Sequence, residues 1–368
     1  MDEKHFLNQC LKKLIEKAAT DLHVKAGELP RIRTGRKLIP LDVLKPSSPF
    51  LESVLDPLLS DHQKKIFQLT KAVDFAFNAD SIGRFRVNAF YQKGEVAIVF
   101  RMVKDKIPSF ENLGLPSILK AIALKQRGLV LIAGPVGSGK STTIAAMVDY
   151  INHNEEKRII TVEDPIEYLH QDDKSFISQR EIGLDTESFH QALRYVVRQD
   201  PDVIVIGEIR DAETFHAALT ASETGRLVVS TVHGKNVMQA FERVLSFYPR
   251  EEHQAILTEL SYNLEAIVSQ RLLSRLDGKG LLPACEVLMM NPSAGKILRE
   301  GHFEKLGQVM QNGKQEGMQT FNQHLLILVE KKMISKEEAF RTSDHPHALE
   351  MNIKGIFLDE TSGGILGS

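Results

Sequence analysis

The run Gly134-Pro135-Val136-Gly137-Ser138-Gly139-Lys140-Ser141 constrains this chain more than any other stretch, because it fits G-x-x-x-x-G-K-[ST] in full. A buried-strand pattern, Leu129 to Ala133, precedes it, and a helical pattern beginning Thr142-Thr143-Ile144 follows. Glycines let a backbone curl until successive N–H groups face one point, and a helix start adds the positive end of its dipole. Such a loop cradles phosphate. Lys140 is placed to reach β- and γ-phosphates and the Ser141 hydroxyl to ligate Mg²⁺. The residues expected to contact a nucleotide are Gly134, Pro135, Val136, Gly137, Ser138, Gly139, Lys140, Ser141 and Thr142.

The surroundings predict an α/β fold. Short apolar runs rich in β-branched residues, Leu129 to Ala133, Arg158 to Val162, Val203 to Ile206 and Leu227 to Thr231, alternate with helical patterns at 140–153, 188–198 and 211–222. Buried strands alternating with helices make a parallel sheet. Upstream, Phe6, Leu7, Cys10, Leu11, Leu14, Ile15 and Ala18 recur at helical spacing. Strand candidates follow at Asp21 to Val24, Arg31 to Thr34, Ala72 to Asn78, Gly83 to Tyr91 and Val96 to Val103, with two weaker helices within 47–69. That mixture reads as a separate α+β domain. Beyond 236 helices dominate, over Val237 to Leu245 and Glu251 to Val268, apart from a strand at Ala284 to Met289. The expected divisions are a first domain at 1–103, a hinge at 104–112, the nucleotide domain at 113–290, a helical region at 291–345 and a flexible tail at 346–368.

Composition removes several classes. Among 368 residues, 46 Lys and Arg against 48 Asp and Glu leave a net charge of −2, so no global basic field draws nucleic acid. There is no tryptophan and no basic–aromatic stripe, which argues against a DNA-stimulated motor. The apolar runs are far short of the ~20 residues a membrane span requires, and the start Met1-Asp2-Glu3-Lys4-His5 has no signal-like apolar region. Cys10 and Cys285 have neither metal spacing nor a disulfide framework. A cytoplasmic chain is expected, with membrane association only through a partner.

Ligands of open α/β sheets sit beyond the carboxyl ends of the strands. Arg158 to Val162 runs into Glu163-Asp164-Pro165, Val203 to Ile206 into Gly207-Glu208, and Leu227 to Thr231 into Val232-His233. Metal-bound triphosphate chemistry needs a carboxylate near the Mg²⁺ shell and a group that orients water. Glu208 has the first position, Glu163 suits the second, and His233 could sense the γ-phosphate. The plainer readings are Asp164-Pro165 as a helix cap and His233 as a satisfied core histidine. His216 reads as a surface residue. In the first domain, Arg86 and Arg101 lie on adjacent strands; arginines from another domain can assist phosphoryl transfer, yet alternation alone also places them on a solvated face.

Several of these segments together resemble one family. Thr161-Val162-Glu163-Asp164-Pro165-Ile166-Glu167 is similar to its Asp box, Asp200 to Asp211 to its Walker B segment, and Thr220 to Gly225 through Thr231-Val232-His233 to its His box. With the phosphate loop, these motifs resemble the PilT/PilU type IV pilus retraction ATPases of the secretion ATPase superfamily over roughly residues 5–355. The resemblance implies a PAS-like N-terminal domain, a RecA-like P-loop ATPase domain with a C-terminal helical bundle, and a homo-hexameric ring using ATP and Mg²⁺. It implies catalytic roles for Glu163, Glu208, His233, Arg86 and Arg101, with Ser141 and Glu208 serving the metal, the latter through water. It also implies pilus retraction and twitching motility at the cytoplasmic face of the inner membrane, against the platform protein, without nucleic acid. Arg226 stands where PilT proteins usually carry His, and Ser293-Ala294-Gly295-Lys296-Ile297 replaces their Ala-Ile-Arg-Asn-Leu. Asp277-Gly278-Lys279-Gly280 and Gly317 to Gln323 look closer to the PilU branch, which implies an accessory subunit beside a PilT motor as the alternative to an autonomous one.

Overall fold

Apolar runs without alternation belong in a sheet covered on both faces, and the computed structural model, which describes residues 2–35, 37–103 and 106–356, places them there. Gly128–Ala133, Val203–Ile206 and Leu227–Val232 are buried at every position. The chain divides into two compact units, one running from the N-terminus through a first sheet and including Pro165–Leu169, the other holding the remainder.

In the first unit β1 (Asp21–Lys25), β2 (Arg31–Thr34), β3 (Lys37–Pro40), β4 (Ala72–Ala79), β5 (Gly83–Gln92) and β6 (Glu95–Met102) form an antiparallel sheet in the order β3-β2-β1-β6-β5-β4. Helix Glu3–Glu16 starts at Asp2, whose side chain accepts from the Lys4 N–H, and buries Phe6, Leu7, Cys10, Leu11 and Leu14. Those residues share a core with Leu22, Phe85 and Phe100. Two shorter helices, Ser48–Leu55 and Asp61–Thr70, complete the α+β unit. Strand β3 was not expected. Its four residues are all exposed, so it carries no alternation to read.

The second unit contains β7 (Gly128–Ala133), β8 (Arg158–Glu163), β9 (Phe176–Glu181), β10 (Val203–Ile206), β11 (Leu227–Val232), β12 (Leu264–Ser274) and β13 (Leu281–Met289). Their order is β13-β12-β7-β11-β10-β8-β9, parallel throughout except for β13. Helix Lys140–Asn154 covers one face, packing Ile144, Met147, Val148 and Ile151 in a core with Val130, Ile132, Val205 and Val229. The opposite face, with Leu129, Leu131, Ile204 and Val228, is covered by helices Phe189–Val196, Ala212–Glu223 and Val237–Leu245. This is the α/β architecture the runs predict.

Three expectations are corrected. The helix expected over Glu251 to Val268 ends at Asn263, and Leu264–Ser274 is β12. The β-branched pair Ile267-Val268 occupies a slot between β7 and β13, where tertiary pairing overrides a helical period. The tail expected from 346 is helical over Pro346–Ile353 and buries Leu349 and Asn352, while 357–368 lie outside the described residues. In the expected hinge, Lys104 and Asp105 are likewise outside them, and Phe110–Leu113 is already helical, capped by Ser109. The edge strand β9 was missed because it is mostly polar. Pro292–Arg299, Leu306–Asn312, Phe321–Glu330 and Lys336–Thr342 supply the expected C-terminal helices. Among the described residues no helix is long and apolar enough to cross a membrane.

Burial pushes the thiols of Cys10 and Cys285 up to about 12. Beside Cys285, whose N–H donates to Nδ1 of His324 at 2.8 Å, burial followed by the charge of Lys331 holds His324 down at about 4. Only the neutral ring can accept that bond. Above about 6.5, the ordinary histidine value, folded and unfolded chains both keep this ring neutral. Between about 6.5 and 4 the unfolded chain takes a proton that the fold excludes, so stability falls as pH falls. The Tm of the native chain should therefore drop more steeply across this window than that of His324→Asn, which keeps an acceptor but cannot titrate. Parallel Tm–pH curves would refute the assignment.

Candidate nucleotide-binding site

The phosphate loop joins β7 to helix Lys140–Asn154, and β12 lies directly beneath it. A Cβ at Gly134 would collide with Ser138 Oγ and stand 2.7 Å from the Gln270 carbonyl oxygen, so the loop folds only with glycine there. Gly139, at φ +86°, turns the chain into the helix in a conformation that side chains other than glycine resist. Gln270 is almost fully buried. Its Nε2 donates to the Ser138 carbonyl at 2.6 Å and its Oε1 accepts from Thr143 at 2.9 Å, bracing the loop and the first turn of the helix together. Lys140 Nζ donates to the carbonyls of Gly134 (2.9 Å) and Pro135 (3.2 Å). The Ser138 hydroxyl is buried without a hydrogen-bond partner among the described residues, and Val136 is exposed at the tip. Beside the loop opens a cleft of about 560 Å³, with Lys235, Arg271 and Arg341 to Asp344 on its far wall.

The order β7-β11-β10-β8 sets four carboxyl ends side by side. Glu163 ends β8, Glu208 lies two residues past β10, and His233 follows β11. The Gly207 N–H donates to the Val162 carbonyl (2.8 Å), and the Ile209 N–H to the Thr231 carbonyl (3.0 Å), so the Glu208 turn is pinned from both sides. Glu208 is clasped: Arg210 Nε donates to Oε2 at 2.8 Å, and His233 Nε2 lies 2.7 Å from Oε1. That hydrogen bond holds the Arg210 guanidinium above its usual range, and Asp164 adds to the effect. Glu163 Oε1 accepts from Thr161 Oγ1 (2.7 Å) and Gln179 Nε2 (3.2 Å). His233 is half-buried beside Glu208, so it is no sealed core histidine, and no helix follows Asp164-Pro165. His216 is exposed as expected.

The donor set fits a magnesium nucleotide. Curled backbone, an orphaned buried hydroxyl and a lysine suit phosphate oxygens, and Ser141 with Glu208 offers the hard oxygen ligands that Mg²⁺ prefers. Among the described residues no group of three or more His, Cys, Asp or Glu side chains could hold a metal unaided.

Arg86 and Arg101 belong to the first unit, where β5 and β6 set them directly opposite each other. Both are exposed, and both are paired. Arg101 Nε reaches the buried carboxylate of Asp21 at 2.7 Å, and Arg86 Nε lies 3.8 Å from Asp74. Burial alone would raise Asp21, but hydrogen bonds from Thr20 and Arg101 outweigh it and hold the group below its ordinary value. Arg226 donates to Thr224 and to the Val197 carbonyl. Sequence reading missed Gln270, Gln179, Thr161 and Arg210. Strand alternation from Glu163 reaches Thr161, and Arg210 stands two residues beyond Glu208, whereas β9 and β12 were themselves unread.

A family profile for type II/IV secretion system proteins matches residues 3–350. The chain is 42% identical to the "type IV pilus ATPase PilU" of Pseudomonas aeruginosa over 346 residues, covering 94% of this chain and 90% of that one. It is 38% identical to the same organism's "type IV pilus retractation ATPase PilT" over 324 residues, covering 88% and 94%. Among solved structures, that of the pilus retraction motor PilT with bound ADP superposes with a TM-score of 0.86 at 39% identity, covering 92% and 97%.

Gln270→Ala removes both bonds that brace the loop. At about 1 kcal/mol each, the dissociation constant for a fluorescent nucleoside triphosphate should rise about tenfold or more. An unchanged constant would show that the loop holds its shape without Gln270.

Proposed function

The chain belongs to the type II/IV secretion system protein family and has the RecA-like α/β fold of the pilus retraction motor, and from that premise we propose that it is an ATP hydrolase that powers or assists type IV pilus retraction. One observation carries the reading: phosphate loop, Glu163, Glu208 and His233 occupy adjacent carboxyl ends of one parallel sheet. In this reading the loop N–H groups and Lys140 hold the β- and γ-phosphates, and Lys140 exchanges its two carbonyl acceptors for phosphate oxygens. Glu163 orients the attacking water and accepts its proton, while His233 and Arg210 fix the Glu208 carboxylate. Ser141 and, through water, Glu208 hold Mg²⁺, which when bound offsets charge on the phosphates. Arg86 and Arg101 supply positive charge from the first unit, and hydrolysis turns that unit about the 104–112 segment.

The assembly we propose is a ring of six copies at the cytoplasmic face of the inner membrane, acting on the pilus platform protein. Higher identity to PilU than to PilT of one organism, 42% against 38%, favours an accessory subunit working beside a PilT paralogue. A strain lacking the gene then shows a retraction defect chiefly when its PilT is impaired.

Lys140→Ala should abolish nucleotide binding. Glu163→Gln should retain binding yet lose hydrolysis by about 100-fold or more. Arg86→Ala separates the arginine role from folding, because its exposed ion pair with Asp74 contributes little to stability. Binding retained with most hydrolysis lost supports the two-unit site, and full hydrolysis in Arg86→Ala and Arg101→Ala would remove both arginines from it.

A further inference from the structure

Residues two apart on a strand share a face, and register partners in a parallel sheet share it too. Thr161 and Glu163 are two apart on β8, and Thr161 is registered with Gln179 of β9. Three polar side chains therefore converge on one side of the sheet edge. Both contacts meet a single atom: Thr161 Oγ1 and Gln179 Nε2 each donate to Glu163 Oε1, at 2.7 and 3.2 Å. The amide is oriented from its other end, because Gln179 Oε1 accepts the His170 N–H at 2.8 Å and so turns the amino group toward Glu163. His170 is where the chain re-enters this unit after Pro165–Leu169. Thr161 is 1% exposed, so its hydroxyl has little recourse to solvent.

We propose that Thr161 and Gln179 are positioning residues for Glu163, fixing the plane of its carboxylate toward the water that attacks the nucleotide. The inference rests on the hydrolase reading above. In that reaction the water oxygen bonds to the γ-phosphorus, the bond from that phosphorus to the β–γ bridging oxygen breaks, and ADP leaves with the electron pair. The water's proton passes to Glu163. A carboxylate free to rotate would meet that water in many orientations, and small misplacements of a reacting group cost up to about 100-fold in rate. Donors to a carboxylate also favour its charged form, so their loss makes the group harder to ionise.

The test is steady-state ATP hydrolysis by the full chain with Mg²⁺ from pH 5 to 9, for the wild type, Gln179→Ala, Thr161→Val and Thr161→Ser. Valine keeps the shape of threonine, and Gln179 lies on an edge strand, so folding is checked through Tm and nucleotide affinity. We expect kcat to fall about tenfold or more in Gln179→Ala and Thr161→Val, KM to stay within about twofold, and the acid limb of the pH–rate profile to move upward. Thr161→Ser should restore most of the rate. Placed on Glu163→Gln, neither change should lower the residual rate further. A wild-type rate and acid limb in Gln179→Ala and Thr161→Val would overturn the positioning role and leave the hydrolase reading standing. A wild-type chain that hydrolyses no ATP would overturn both.

Discussion

Everything at the candidate site depends on how closely β12 approaches the phosphate loop. The Gln270 carbonyl and the Ser138 side chain fill the space where Gly134 would carry a Cβ. The Gln270 side chain then spans from the loop to Thr143 on the helix. A loop of glycines is costly to order, and a buried amide with both ends satisfied is a rigid template for it. The loop is thus braced before any phosphate arrives, which lowers the ordering cost of binding.

The carboxylates show a second economy of design. Parallel pairing of β7, β11, β10 and β8 requires no special contact to bring Glu163, Glu208 and His233 together, only equal strand ends. What is specific is the clasp on each acid. Glu208 is held by a guanidinium and an imidazole, Glu163 by a hydroxyl and an amide. A guanidinium and an imidazole at one and neutral donors at the other give two glutamates in one sheet different surroundings, the condition under which two like groups take different roles.

Much of this was legible in the residues. The phosphate loop, its strand and helix, and the strand-end positions of Glu163, Glu208 and His233 follow from local pattern, because buried parallel strands read as continuous apolar runs. The missed parts share a cause. Strand β3 is exposed throughout, β9 is mostly polar, and β12 continues a helix without a turn signal. Their identity lies in who pairs with them, and pairing is not local. Gln270 and Gln179 were hidden for the same reason, since each acts from one of those unread strands. Helix Pro346–Ile353 was masked by neighbouring Gly, Ser and His, although Leu349 seats it in a core with Leu325 and Leu328.

The two cysteine thiols have a practical consequence. Cys10 lies on the buried face of helix Glu3–Glu16 and Cys285 on β13, both buried and both with thiols held far above the range where thiolate forms at neutral pH. Maleimide dyes and spin labels react with accessible thiolate, and neither buried thiol presents one at its surface. A single cysteine added to the surface of either unit becomes a unique attachment point without any background mutation. Paired labels of that kind would let the separation of the two units be followed by energy transfer while nucleotide turns over.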